Sequence, residues 1–368
     1  MSSETVEAED EEDDDAEGFP PAERKVVTQS YDLSVQTLLE QWENGVLLLP
    51  ETQREYVWDN PRGSRLIESL LLNIPIPVLY FAETDEGAWE IFDGQQRVRS
   101  VVRFIKNEYR LSSLTVLAEL NGKRFFQLPK REQRFLTTRM MRAVVIAADS
   151  HPTMKFEIFE RLNTGAIILN AQELRNSLFR GSFNSMLREL AKDPAYRECI
   201  GTHAPRKRMV DEELALRFFA LNASLSDYRP PLKKFLNDYM RGMKDAGPSP
   251  LTALRAEFVT TVTRIRDVWG SSAFKVTDAH GKATERSPNR ALFDAQMIAF
   301  SAIPASENVP EHRKGIIREF AKLFRTKAFM DNIVLATGDR TRTLNRINSS
   351  MDALESAGVS IKRRPGLT

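Results

Sequence analysis

The run Asp93-Gly94-Gln95-Gln96-Arg97 combines a carboxylate, two amides and a guanidinium around one glycine. Residues 89–92 before it alternate like a short strand. Apolar residues after it recur at helical spacing, namely Val98, Val101, Val102 and Ile105. A helix that begins directly after a strand presents backbone N–H groups without intrahelical partners and the positive end of its dipole, which suits a phosphate. The amides and the arginine would add donors, so the run predicts an anion site.

The same spacing allows a second interpretation. Asp93 followed three residues later by Gln96 matches a capping box, in which the aspartate closes the start of the helix. Gly94 and the additional glutamine exceed what a cap requires, and Arg97 follows at once. We therefore favour the phosphate site and keep the capping box as the alternative.

These five residues resemble the signature of the N-terminal domain of GmrSD-type restriction proteins, within the wider ParB/sulfiredoxin-like group. Four other blocks agree with that family in order and approximate spacing: Leu49–Trp58, Arg65–Pro77, Phe159–Gly165 and Leu169–Arg175. The resemblance implies an α+β fold whose ParB/sulfiredoxin-like N-terminal domain contains a mixed sheet. Beyond Gly181 strand patterns nearly vanish and amphipathic helical segments follow, which predicts an all-helical C-terminal domain.

The resemblance also implies a site. In that family a pocket binds a nucleoside triphosphate, and hydrolysis is linked to phage defence and to control of a nuclease. Carried over to this sequence, the predicted nucleotide and phosphate ligands are Gln53, Arg54, Gly94, Gln95, Arg161 and Asn163. The predicted catalytic residues are Asp93, Gln96 and Arg97. Chemistry suggests their roles: the arginines pair with phosphate oxygens, the glutamines donate or hold a water, and the aspartate caps the helix, binds Mg²⁺ or orients that water.

Composition and the pattern of apolar residues predict the cellular compartment and the domain organisation. A hydrophobic content of 42% with 28% charged residues is typical of a soluble globular protein of two domains, and the single cysteine, Cys199, excludes an internal disulfide. The longest apolar run, Leu70–Phe81, is interrupted by prolines and is too short to cross a bilayer. Without an apolar signal region, a cytoplasmic location and no membrane partner are expected. We predict a disordered acidic tail at 1–24, a nucleotide-binding domain at 25–182 and a helical domain at 183–368.

Charge is distributed unevenly along the chain. Residues 1–18 hold ten carboxylates and no basic side chain, so the other residues hold 52 basic and 41 acidic groups, a net charge of +11. That excess suits a polyanion, and the alternative is that the acidic tail merely aids solubility. The run Arg206-Lys207-Arg208 before an amphipathic helix at 211–222 is the predicted nucleic-acid contact, with a solvated loop as the alternative.

Further elements follow from local patterns. We predict a strand edge followed by a helix at 31–44, with Ser34 as the cap. Further helices are predicted at 61–73, 130–139 and 154–162, and a capping box from Asn170 to Glu173. Strands are predicted at 46–49, 78–81, 90–92 and 143–147. A hairpin is predicted at 114–126 around Asn121-Gly122. The second half should contain helices at 183–191, 211–222, 231–246, 251–269, 289–302, 312–327 and 340–356, with a break at Pro194.

Several site classes find no support. The sequence has no P-loop motif and no pair of histidines or cysteines at metal-ligand spacing, so no metal-binding residue is predicted. His280, with Asp278 and Asn289 nearby, lacks a second histidine and is interpreted as a loop residue. The predicted function is nucleoside triphosphate binding and hydrolysis by a prokaryotic defence protein that acts on or near DNA. The alternative is a non-catalytic module that binds nucleotide or DNA and gates a separate nuclease subunit, and a weaker alternative is a direct nuclease or nickase.

Overall fold

The computed structural model describes residues 23–49, 56–162 and 170–363. Most of the predicted acidic tail, together with Gln53, Arg54 and Asn163, lies outside these residues. The chain divides into two compact units at the step from Leu169 to Asn170. We call residues 19–169 the sheet unit and the residues from 170 onward the helical unit. The predicted domain limits remain predictions.

The sheet unit contains a mixed five-stranded sheet in the order β1-β5-β3-β4-β2. Its strands are β1 (Thr28–Ser34), β2 (Leu47–Leu48), β3 (Leu79–Glu83), β4 (Trp89–Asp93) and β5 (Met140–Ile146). β3 runs parallel to β5 and antiparallel to β4, while β1 is antiparallel to β5 and β2 is parallel to β4. This arrangement confirms the predicted α+β fold with a mixed sheet.

The described helices of this unit are α1 (Val35–Glu43), α2 (Asn60–Leu71), α3 (Gln95–Ile105), α4 (Lys130–Thr138) and α5 (Pro152–Leu162). Ser34 caps α1 as predicted, because its hydroxyl accepts the Thr37 N–H at 3.0 Å. The apolar face of α3 is fully buried with the sheet residues Leu79, Phe81 and Ile91 in one core cluster. Burial of that face holds α3 on the sheet.

The predicted hairpin at 114–126 is wrong. Two short 3₁₀ turns, Ala118–Leu120 and Phe125–Gln127, occupy this segment instead. The Asn121 side chain accepts the Leu114 N–H at 3.0 Å and donates to the Leu114 carbonyl at 3.2 Å. One side-chain amide thus supplies the bonds that a partner strand would have made, which Asn can do in irregular segments.

The helical unit contains helices throughout its described residues, which confirms the helical prediction for the second half. They are α6 (Ala171–Leu178), α7 (Ser182–Leu190), α8 (Pro194–Ile200), α9 (Val210–Ser224), α10 (Leu232–Met243), α11 (Pro248–Trp269), α12 (Arg290–Ser301), α13 (Val309–Leu323), α14 (Lys327–Val334) and α15 (Arg340–Ser356). The predicted break at Pro194 falls between α7 and α8, and Pro194 itself is the first residue of α8, a position where proline's missing N–H costs nothing. The Asn170–Glu173 capping box is confirmed. None of the helices in the described segments is long and apolar enough to cross a membrane.

Candidate functional site

The predicted site begins where β4 ends at Asp93 and α3 begins at Gln95. Gly94 between them has φ +96°, ψ 7°, and it is the N-cap residue of α3 without a side-chain capping bond. The capping-box alternative, with Asp93 as the cap, is therefore wrong. The left-handed turn at Gly94 leaves the Asp93 carboxylate one position too early to reach the first N–H groups, and it binds Arg97 instead, at 2.6 Å.

Residue 94 must be a glycine for a second reason besides its left-handed conformation. A Cβ atom at this position would collide with the Leu79 side chain and would lie 3.3 Å from the Arg97 guanidinium. The strand β3 therefore approaches the junction closely because residue 94 has no side chain.

Arg97 is buried under this junction. Its Nη1 donates to the carbonyl oxygens of Pro77 and Val78, the latter at 3.3 Å, and its Nη2 donates to Asp93. Burial lowers the pKa of the Arg97 guanidinium, and the neighbouring Asp93 carboxylate opposes that effect. The Asp93 side chain remains 46% exposed, against 11% for Arg97. Arg97 thus joins α3 to the chain before β3 and holds the aspartate at the surface.

Gln96 connects the Asp93–Arg97 run to Val57 and Trp58. Its Oε1 accepts the backbone N–H of Val57 at 3.0 Å and that of Trp58 at 3.3 Å. On the next turn of α3, the Ser100 hydroxyl lies 3.0 Å from the Tyr56 hydroxyl. The residues that follow Gln53 and Arg54 in sequence are therefore fixed to the first two turns of α3.

Arg99 and Arg103 have a role that the sequence analysis did not identify. Their guanidinium carbons lie 5.5 and 4.3 Å from the centre of the Tyr56 ring, distances typical of cation–π contacts. Arg103 also pairs with Glu108 at 3.0 Å. Both arginines occupy one face of α3 four residues apart, a spacing that could have indicated a shared partner.

The remaining sheet-unit residue of the predicted set, Arg161, lies near the end of α5. Its side chain is 77% exposed and lies 3.6 Å from Glu157. Two residues earlier, Phe159 stacks on Phe92, the neighbour of Asp93. The structure therefore brings Asp93–Arg97 together with Tyr56–Trp58 and packs α5 on the end of β4. Whether Arg161 reaches the same pocket stays a prediction.

The predicted nucleic-acid run belongs to the helical unit. Arg206 donates from Nε to Asp211 at 2.6 Å, and Arg208 lies 3.4 Å from Glu173. Arg208 also has a positive φ of 68°, and the Lys207 side chain is outside the described atoms. Both arginines are engaged in ion pairs within their own unit, and their contact with DNA stays a prediction.

The residues around His280 have structural roles. Asp278 accepts the backbone N–H groups of His280 and Lys282, each at 2.9 Å, and these bonds lower the pKa of its carboxyl. Asn289 caps α12 by accepting the Leu292 N–H at 2.9 Å. Within the segments that the structure describes, no three His, Cys, Asp or Glu side chains are grouped to hold a metal ion.

A comparison with known protein families matches most of the sheet unit and the first helix of the helical unit. Residues 35–180 match the family model described as the GmrSD restriction endonuclease, N-terminal domain. The match covers every described residue of the β4–α3 junction and of the segment fixed to it. The search of curated proteins returned no match.

Proposed function

We propose that the β4–α3 junction binds a nucleoside triphosphate and hydrolyses it in a restriction or defence protein, because residues 35–180 match the family model described as the GmrSD restriction endonuclease, N-terminal domain. The nucleotide, with Mg²⁺, would be the ligand, and the reaction would accompany action on or near DNA. The proposal concerns Asp93–Arg97 together with Gln53 and Arg54.

The observation that supports it best is the bond from Gln96 to the backbone at Val57 and Trp58. Arg54 precedes Tyr56 by two residues in sequence, and Tyr56 is itself bound to Ser100 on α3. In this proposal the Arg54 guanidinium pairs with a phosphate at the start of that helix.

The exposed Asp93 carboxylate supplies the second part of the mechanism. The Asp93 Oδ2 accepts a hydrogen bond from Arg97, which fixes the orientation of the carboxylate. Nearly half of the Asp93 side chain is exposed to solvent. A carboxylate in that position would hold Mg²⁺ or orient the attacking water, and the cation would neutralise charge on the transferred phosphoryl group. In this proposal Arg97 positions Asp93 and Arg54 pairs with phosphate oxygens.

A second candidate is a module that binds the nucleotide without hydrolysing it and gates a separate nuclease subunit. The position of Arg97 favours this interpretation, because three of its five N–H donors are engaged by Pro77, Val78 and Asp93. A guanidinium used in this way is less able to stabilise charge that develops on a phosphate. Binding without release of phosphate would distinguish this module from the enzyme.

The test uses the full chain and all four ribonucleoside triphosphates, each with and without Mg²⁺. Thermal unfolding and phosphate release are measured for wild type, Arg54→Ala and Asp93→Asn. We expect at least one triphosphate to raise the Tm of wild type and to be hydrolysed. Arg54→Ala should weaken that affinity about tenfold or more, equivalent to one charge-assisted hydrogen bond.

Glu86→Gln is the matched control, since it removes an exposed carboxylate from the turn between β3 and β4. It should bind and hydrolyse the nucleotide like wild type. If no triphosphate shifts the Tm of wild type and none is hydrolysed, the proposal is wrong for both the enzyme and the gating module.

A further inference from the structure

A second basic surface lies in the sheet unit, away in sequence from the Arg206–Arg208 run. Residues 122–139 hold six basic side chains and one acidic side chain, Glu132, a net charge of +5. The segment runs through the 3₁₀ turn Phe125–Gln127 into α4. The name basic surface is used below for five of these cations together with Arg110. The full set is Arg110, Lys123, Arg124, Lys130, Arg131 and Arg134.

The basic surface lacks ion pairs within the described part of the chain. None of its six cations has a carboxylate partner within 4 Å there, and three of them contact neutral groups. Arg110 donates to the Gly122 carbonyl at 2.8 Å, Arg124 to the Asn107 carbonyl, and Lys130 lies 3.4 Å from Gln133 Oε1. Exposed cations grouped on one surface without acidic partners form an electrostatic site for a polyanion.

The surface has a fixed backbone. Gln133 of α4 donates from Nε2 to the carbonyl oxygens of Phe126 at 3.4 Å and Leu128 at 2.8 Å. Arg110 also reaches Gln127 Oε1 at 3.5 Å. These bonds hold the 3₁₀ turn beside the first turns of α4, so the cations of both elements share one part of the surface.

An exposed aromatic residue lies on the 3₁₀ turn, between Arg124 and Lys130 in sequence. The Phe126 side chain is 66% exposed, while its neighbour Phe125 is buried and packs edge-on to Phe104. Phe135, 38% exposed, lies 5.0 Å from the Arg131 guanidinium carbon. A large apolar ring that is exposed to water contributes little to the free energy of folding, because most of its surface is not buried.

From these observations we propose that the basic surface binds a single-stranded polynucleotide, with the cations on its phosphates and Phe126 stacked on a base. Exposed aromatic rings among cations bind single strands because every unpaired base offers a face for stacking. In a duplex the faces of the bases are already stacked, and an acidic protein surface offers no bases. The exposed ring therefore favours a single strand over a duplex and over an acidic protein. The site uses none of the residues proposed to bind nucleotide.

The experiment measures fluorescence anisotropy of a labelled oligothymidylate with the full chain, across a range of salt concentrations. Lys130→Glu/Arg134→Glu should weaken binding at low salt and reduce the slope of log K against log salt by about 1.4, if each side chain contacts one phosphate. Phe126→Leu keeps the apolar bulk and removes the ring, and it should weaken binding about 5- to 150-fold. Phe126→Tyr keeps the ring and should bind like wild type.

Lys314→Glu/Lys327→Glu changes the net charge by the same amount at exposed lysines of the helical unit, and it should bind like wild type. An oligouridylate measured in parallel distinguishes RNA from DNA as the source of the strand. The proposal is overturned if a hairpin duplex binds more tightly than the single strand, if Phe126→Leu binds like wild type, or if polyglutamate competes as well as the oligonucleotide. Urea unfolding of each variant confirms that folding is retained.

Discussion

Arg97 illustrates how one residue type serves two roles. The sequence predicts it as an anion ligand, but the structure buries it and engages three of its five donors with two carbonyl groups and Asp93. A buried guanidinium must be paired and hydrogen-bonded, or its desolvation would exceed any gain. The same contacts that satisfy it also orient the exposed aspartate, so its structural role supports the proposed site without a contact to the nucleotide.

Replacement of Arg97 tests this role. Arg97→Ala leaves the Pro77 and Val78 carbonyls and Asp93 without their donor, so the free energy of unfolding should fall by about 2–4 kcal/mol. Arg99→Ala on the same helix removes one cation–π contact with Tyr56, and it should cost about 1 kcal/mol or less. Urea unfolding of both variants measures the difference. Equal losses would show that Arg97 is no more than a surface charge.

Glu212, in the first turn of α9, predicts a pH dependence in the helical unit. Burial raises the pKa of its carboxyl above the ordinary value of 4.5, while a hydrogen bond from Asn176 opposes the shift. Below 4.5 both states hold the proton and the residue contributes no pH dependence. As pH rises through the raised pKa, the unfolded state releases its proton first, so this residue makes stability fall.

Glu212→Gln has no proton to release, so its free energy of unfolding should fall less than that of wild type between acid and neutral pH. Glu355 provides a control of opposite sign, because the Arg363 bond lowers the pKa of its carboxyl. Its contribution is present at neutral pH and is lost as pH falls, so Glu355→Gln should lose stability at neutral pH only. Urea unfolding across this pH range measures both. A Glu212→Gln profile parallel to wild type would contradict the assignment.

At the scale of elements, the junction between β4 and α3 depends on Gly94. Gly94→Ala would force a side chain into φ +96° and against Leu79, so we expect a loss of about 2 kcal/mol or more in the free energy of unfolding. Gly87 in the β3–β4 turn has a similar φ of +82°, but a methyl group added there would meet no atom within 4 Å. Gly87→Ala should cost only the backbone strain, about 1 kcal/mol.

The difference between these two glycine variants isolates the close approach of Leu79. Thermal or urea unfolding of both, together with Gly94→Ala/Leu79→Ala, measures it. The double variant should recover part of the loss, because it makes room for the new methyl group, although it also loses Leu79 packing. If the two single variants were equally stable, the contact with Leu79 would have no energetic weight.

At the scale of the whole molecule, each of the two units has its own hydrophobic core. The sheet unit is held by a cluster that includes Leu79, Ile91 and Val98, and the helical unit by an aromatic-rich cluster that includes Phe218, Phe258 and Phe293. The helical unit also buries Asp294 between Arg217 at 2.7 Å and Arg346 at 3.1 Å, which joins α9, α12 and α15. Both proposed ligand sites lie in the sheet unit, so the family match and the chemistry coincide there.

The sequence by itself determined the elements whose causes are local. The caps at Ser34 and Asn170, the strand–glycine–helix junction at residues 93–95 and the all-helical second half depend on propensity, side-chain period and capping within a few residues. The motif blocks also predicted the match of residues 35–180 to the GmrSD N-terminal domain model, since their order and spacing are properties of the chain.

Only the tertiary structure decided what each polar side chain does. Arg97 is structural because the carbonyl oxygens of Pro77 and Val78 accept its N–H groups. Gln96 accepts the backbone N–H of Trp58, 38 residues away. Asn121 supplies Leu114 with the bonds that a partner strand would have made. Phe126 is exposed while Phe125 is buried, although both are phenylalanines in one turn. Such outcomes depend on which groups meet across the fold. Burial and hydrogen-bond partners are set by distant residues, and local patterns do not encode them.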